Sequence, residues 1–206
     1  MRKVILTVAL SIALVGGLQA RGFADNFEGP NVHWKTAYND PSATYRAFAL
    51  FDRTSDFNFE TTIQGHVQKW NGIRQQFNLG LPWKQYVLAH GTPCYPPASG
   101  QVTVCMASNT DTGGAAGLTS WTYLDTGTGY GYHFYSARTL LNTSVKWTPT
   151  LRWNVICHEL GHAVGLGHTS DSTSCMWPTL NASVQQWYGA DDNTTLNKLY
   201  AHGAAQ

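Results

Sequence analysis

From residue 46 onward, the hydrophobic positions switch between the two-residue rhythm of strands and the three-to-four-residue rhythm of helices. Arg46 to Phe51 reads as a first strand. Between Phe57 and Phe77, Ile63, Val67, Trp70 and Ile73 recur at spacings of three and four, which predicts a helix with one buried face. Gln85 to Ala89 is a short apolar strand, and Gln101 to Met106 alternates like another. The Gly-rich stretch Thr112 to Gly117 predicts a loop. Leu118 to Leu124 and Tyr132 to Leu141 read as two further strands, joined by a Gly/Thr-rich turn at Asp125 to Gly131. Thr148 before Pro149 marks a helix start, a capping hydroxyl followed by a first-turn proline. Ile156, Leu160, Ala163 and Val164 form its core stripe, and Gly165 and Gly167 end it. A last helical pattern runs from Asp191 to Ala201, with acidic residues in its first turn. Residues 25–45, rich in Asn, Asp and Pro, show no period and are expected to be an irregular N-terminal segment. Strands with one early and two late helices predict an α/β or α+β sheet covered by helices. No internal repeat is visible.

Composition narrows the class. In 206 residues, 43% are hydrophobic, enough for one sizeable core. Only 12% are charged, and the formal net charge is +1, so there is no basic footprint for nucleic acid and no polybasic membrane patch. At the N-terminus Arg2 and Lys3 precede a 12-residue apolar run, Val4 to Val15, and a small-residue exit through Gly16, Gly17 and Ala20. This is the pattern of a secretory signal peptide over residues 1–24, with cleavage near 20 or 24. The run falls short of the ~20 apolar residues that span a bilayer, so the mature form, with its domain at 46–206, is expected to be secreted, extracellular and free of the membrane. Export makes the four cysteines readable as disulfide partners, with three pairings open. Cys94 and Cys105 flank a Pro/Gly-rich loop that could close as a hairpin; Cys157 and Cys175 remain.

The densest chemistry lies at residues 158–168, His-Glu-Leu-Gly-His-Ala-Val-Gly-Leu-Gly-His. Two histidines one helical turn apart, His158 and His162, can converge on one ion. Catalytic zinc takes three protein ligands and leaves one position open. Gly165 lets the chain turn back and supply His168 as the third. Glu159 sits between the ligands, placed to reach a metal-activated water without binding the metal, as a general base does. His33, His66, His90, His133 and His202 lack ligand spacing to one another and are expected on the surface or in the core.

With these residues the chain resembles the metzincin metallopeptidases, whose signature adds a Met-turn beyond the third histidine. Ser174-Cys175-Met176-Trp177-Pro178 stands in that place. Thr169 and the Met-x-Pro ending look most like the matrixin branch, and the final helix is similar to that of matrixins. The resemblance implies a zincin fold: a twisted, mostly parallel sheet with one antiparallel edge strand, an active-site helix, and a small C-terminal subdomain holding the Met-turn and the last helix. It implies one catalytic zinc ion on His158, His162 and His168, with Met176 as an apolar floor that is not a ligand. In that arrangement the Met-turn passes beneath the active-site helix, and Cys157 and Cys175 directly precede His158 and Met176. The resemblance therefore implies the pairing Cys94–Cys105 and Cys157–Cys175. Polypeptide substrates are expected to lie extended along the edge strand Leu118 to Leu124, with Trp177 and Pro178 helping to wall the pocket after the scissile bond. The sequence departs from the branch in lacking the cysteine-bearing latency motif and the His/Asp-rich loop that holds structural zinc and calcium. Asp111 is a lone candidate calcium ligand, better accounted for as a turn residue.

The expected function is that of a secreted zinc-dependent endopeptidase hydrolysing peptide bonds of extracellular proteins by zinc-activated water, with Glu159 as general base and the protein acting as a monomer. A catalytically silent, zinc-bound peptide-binding module is the second reading, and the retained Glu159 argues against it. A zinc hydrolase of non-peptide esters or amides is the third, and the edge strand argues against that.

Overall fold

The computed structural model describes residues 32–34, 48–77, 83–88, 94, 98, 100–125 and 132–200. The proposed signal segment, His90 and His202 lie outside them. Along the chain come β1 (Val32–Trp34), β2 (Phe48–Asp52), α1 (Phe57–Phe77), β3 (Trp83–Leu88), β4 (Gln101–Ala107), β5 (Gly117–Asp125), β6 (Tyr132–Asn142), α2 (Pro149–Ala163) and α3 (Ala190–Tyr200). No helix among the described residues is long and apolar enough to cross a membrane.

The expected sheet is present. β2 pairs parallel with β3 and β4, and β4 pairs parallel with β6. β5 runs antiparallel to β6 and has no second strand partner among the described residues, which makes it the edge. Four consecutive buried positions in β4, Val102 to Cys105, show that both faces are covered. Val102 and Val104 join Leu50, Ile63, Ile156 and Leu160 in the main core. On the opposite face Cys105 meets Leu118 and Leu140, and the Cys94–Cys105 disulfide, with 5.9 Å between α-carbons, closes over them.

The helices follow their stripes. Ile63, Val67 and Trp70 of α1 are buried, while the side chain of Ile73 lies outside the described set. Burying each such side chain stabilises the fold by about 1.5–3 kcal/mol. α2 packs across β5 and β6, and α1 packs against α2. From Asn154 to Ala163 every residue of α2 is buried, so its polar face is enclosed as fully as its apolar one. Polar side chains enclosed in this way need internal partners.

Two features depart from what the hydrophobic pattern implies. Residues 32–34 form a strand inside the segment expected to be irregular. The cause lies in β6: β4 covers only Ser136 to Asn142, leaving the ladder open at Tyr132 to Phe134, and β1 fills that gap. A three-residue strand is too short to show a period of its own. The second feature is a register shift between Thr122 and Tyr123, which leaves Tyr135 of β6 unpaired. The bulge turns Phe134 onto the helix side, where its ring stacks on Trp121 at 5.7 Å.

Candidate metal centre and active site

The local sequence builds α2 and its exit. Thr148 is the N-cap and accepts from the Leu151 N–H at 3.2 Å, with Pro149 at the first helical turn. At the other end the Leu166 N–H reaches the Gly161 carbonyl at 3.0 Å and the Gly165 N–H reaches the His162 carbonyl at 2.9 Å. Gly165 has φ 99°, so these bonds form a Schellman stop that only a residue tolerant of left-handed backbone closes without strain. The stop turns the Leu166 carbonyl back onto the helix, where His162 Nδ1 donates to it at 2.7 Å. His168 follows two residues later.

His158, His162 and His168 are brought together, and they are the metal-compatible cluster found among the described residues. His158 Nε2 lies 2.9 Å from His162 Nε2 and 3.1 Å from His168 Nε2. His158 Nδ1 donates to the Cys175 carbonyl at 2.6 Å. A carbonyl only accepts, so Nδ1 carries the proton in both His158 and His162, and a neutral ring then has a bare Nε2. Burial keeps the rings neutral: it pushes His162 down to about 3 and His168 to about 4, and it drives His158 well below its usual value, helped by His162 and His168. Bare lone pairs aimed at one another at 2.9 Å cannot hydrogen-bond; a cation between them satisfies both. A tetrahedral zinc ion at ~2.0–2.1 Å from each nitrogen would set them about 3.3 Å apart, a few tenths of an ångström beyond the observed spacing. The donor set fits zinc.

Glu159 is fully buried beside this cluster. Burial raises its carboxyl to about 8, against the opposing hydrogen bond from Thr119, and a nearby cation would favour the ionised form. Oε2 accepts from Thr119 Oγ1 at 2.6 Å, whereas Oε1 has no hydrogen-bond partner. β5 gives way to the carboxylate at Gly117, where an added β-carbon would lie 2.6 Å from Oε1.

The Met-turn lies under α2 as the resemblance implies. Met176 is fully buried, and a β-carbon at Gly161 would collide with its sulfur and stand 2.9 Å from Tyr188 Cε1. The Cys157–Cys175 disulfide ties this floor to the helix. Ser174 Oγ donates to Asp192 Oδ2 at 2.5 Å and accepts from the Met176 N–H at 2.9 Å, which joins the turn to α3. Trp177 and Pro178 continue from the floor, both partly buried. Asp111 accepts from the backbone and hydroxyl of Ser108, as a turn residue does.

Several supporting residues carry no signal in their spacing. Thr119 grips Glu159, and the Trp121 indole N–H donates to the His162 carbonyl at 2.8 Å. Asn154 donates to the carbonyls of Asn181 and Val184 and accepts from the Gln186 N–H, pinning the segment after the Met-turn. Gly117, Thr119 and Trp121 alternate along β5, so their shared face follows from strand geometry once the buried side of the strand is known.

Residues 25–201 match the family model described as Matrixin. A curated relative, Metalloendoproteinase 4-MMP of Arabidopsis thaliana, is 39% identical over 61 residues, which covers 23% of this chain and 18% of the relative. The chain therefore spans less than a fifth of that relative's length in the match. The family match runs through the sheet, the ligand helix, the Met-turn and the last helix alike, and on that extent the chain belongs to the matrixin family of zinc metallopeptidases.

Proposed function

We propose that the protein is a secreted endopeptidase that hydrolyses peptide bonds of extracellular proteins, with Glu159 as its general base. The observation that carries this reading is the convergence of three imidazoles, two of them with a bare Nε2, beside a buried carboxylate whose Oε1 is left without a partner. A module that only bound peptides would have no need of that carboxylate.

His158, His162 and His168 would hold the ion. Zinc, when bound, supplies Lewis-acid polarisation of a peptide carbonyl and makes a water acidic enough to deprotonate near neutral pH. Glu159 Oε1 takes a proton from the attacking water and delivers it to the nitrogen of the leaving amine, so the carboxylate ends as it began. The carbonyls of Cys175 and Leu166 fix the two helical imidazoles through their Nδ1–H groups. The side of β5 that has no strand partner among the described residues supplies backbone donors and acceptors to an extended peptide. Trp177 and Pro178 wall the pocket beyond the scissile bond. The apolar start of the chain and its two disulfides support export.

The test is proteolysis of casein and a peptide library by the mature protein, with and without chelator, beside Glu159→Ala. Cleavage by the zinc-loaded protein that is lost in both arms is expected. Proteolysis persisting in Glu159→Ala or in chelator overturns the mechanism, and folded, zinc-loaded protein that binds peptides without cutting them establishes the silent module instead. His168→Ala is expected to lose zinc affinity far more than His133→Ala or His202→Ala. Equal zinc retention in the three refutes the ligand assignment.

A further inference from the structure

Glu159 is held by a pair of threonines that the zinc motif does not contain. Thr119 on β5 and Thr139 on β6 face each other as a cross-strand pair, and both are fully buried. Thr119 Oγ1 lies 2.6 Å from Glu159 Oε2, 3.1 Å from the Glu159 carbonyl and 2.8 Å from Thr139 Oγ1. A hydroxyl has one hydrogen. An ionised carboxylate only accepts, so with Glu159 ionised, as a general base is, the hydrogen of this shortest contact points to Oε2. The bond between the threonines must then run from Thr139 to Thr119. The chain of donors is therefore directed, Thr139 to Thr119 to Glu159, and the upstream bond polarises the downstream one.

The consequence is an asymmetry between the two carboxylate oxygens. Oε2 is anchored in the sheet. Oε1 lies in the space that Gly117 leaves, two residues back on the same face of β5, and has no partner. A carboxylate free to rotate about its last torsion would present either oxygen, because such terminal torsions are broad and two-fold. One short bond to a buried hydroxyl removes that freedom.

We propose that Thr119, itself held by Thr139, is a positioning residue that fixes the Glu159 carboxylate so that Oε1 alone handles the proton. The proposal rests on the reading of Glu159 as general base. It also makes β5 a shared part: the strand expected to pair with the substrate sets the position of the base.

The experiment compares Thr119→Val, which keeps shape and loses the hydroxyl, with Thr119→Ser, which keeps the hydroxyl, and with Thr139→Val, which removes only the upstream donor. Each is measured for kcat and KM on a peptide the wild type cleaves, for zinc affinity by chelator competition, and by crystallography for the orientation of Glu159. In Thr119→Val, kcat is expected to fall on the order of 10- to 100-fold, the scale of one hydrogen bond to a charged group. KM and zinc affinity stay within about twofold of wild type, and the carboxylate turns from its wild-type position. Thr119→Ser recovers most of the rate, and Thr139→Val falls between. Wild-type kcat in Thr119→Val, a loss that Thr119→Ser does not recover, or a loss explained by KM or zinc affinity overturns the proposal. If Thr119→Val does not fold, Thr139→Val decides: an unchanged kcat there refutes the directed chain. Glu159→Ala separates the two layers, since activity retained in that variant removes the general base itself, whatever Thr119 does.

Discussion

His66 makes this fold acid-sensitive at a place far from the zinc motif in sequence. It sits in α1 with no exposed surface, its ring 4.0 Å from that of Trp153 and stacked at 5.2 Å on that of Trp187. Nε2 lies 3.0 Å from the Trp153 carbonyl, which only accepts, so Nε2 carries the proton and donates. Nδ1 is buried with no partner. Protonating Nδ1 would create a buried cationic N–H without an acceptor, near the ammonium of Lys69, which itself lies over the rings of Trp187 and Trp153. Burial, and secondarily Lys69, therefore pushes His66 from 6.5 down to about 3, against the carbonyl bond that raises it. The unfolded chain binds this proton below pH 6.5 and the folded chain only below about 3. The stability involved is fully present above 6.5 and is lost as pH falls toward 3. The slope is about 1.4 kcal/mol per pH unit, which makes about 2 kcal/mol at pH 5. The assay is urea unfolding at pH 7.5 and pH 5.0, disulfides intact and chelator present, for wild type and His66→Phe. The zinc-site histidines titrate in both proteins and cancel in the double difference. His66→Phe should lose about 2 kcal/mol less than wild type over this interval. An equal loss in the two proteins would refute the account of His66 as a buried neutral ring.

Two other outcomes follow from the floor of the site. Gly161→Ala drives a methyl group into Met176 and Tyr188, an overpacking cost of about 1–3 kcal/mol; a lowered melting temperature together with weakened zinc binding is expected, and a wild-type melting temperature contradicts the packing. Replacing Cys157 and Cys175 by Ala opens an 18-residue loop and should cost about 3 kcal/mol in urea unfolding. It should also weaken zinc binding, since the Cys175 carbonyl orients His158; an unchanged affinity would show that the carbonyl holds its place without the bond.

What could be read from the chain divides by the range of the interaction. The α1 stripe from Ile63 to Trp70, the Thr148 cap, the Gly165 stop and the i, i+4 histidines are all set within a turn or two, and the structure has them where the pattern places them. β5 and β6 were legible as strands, and the likeness to metzincins supplied their antiparallel pairing. Their register was not, because the unpaired Tyr135 shifts the alternation with no Gly or Pro to mark it. Without register nothing pairs Thr119 with Thr139 or brings Phe134 to Trp121. Asn154 reads as one more polar residue on α2, yet its carboxamide bonds a segment some 30 positions away. β1 was hidden for a related reason, since the open ladder of β6 dictates it and its own residues do not.

The same division bears on how the site is kept ready for metal. Each imidazole of α2 is oriented by a backbone carbonyl, Cys175 for His158 and Leu166 for His162, and neither carbonyl depends on the ion for its position. The Leu166 carbonyl is set by a helix stop, and the Cys175 carbonyl by a disulfide and by the bond from the Cys175 N–H to the Trp187 carbonyl. Tyr188 completes the brace by donating to the Cys157 carbonyl at 2.7 Å. Such a frame holds the bare Nε2 atoms of His158 and His162 2.9 Å apart, where their lone pairs repel one another without a cation. The frame fixes the two helical imidazoles in the folding of the chain, against that repulsion, so metal binding need not supply their ordering. Most of the binding free energy then appears as affinity and as stabilisation of the folded state, which grows as RT ln(1 + [L]/Kd) and reaches about 2.7 kcal/mol at a hundredfold excess over Kd. A site assembled by the metal itself would instead lose part of that free energy to ordering its loops.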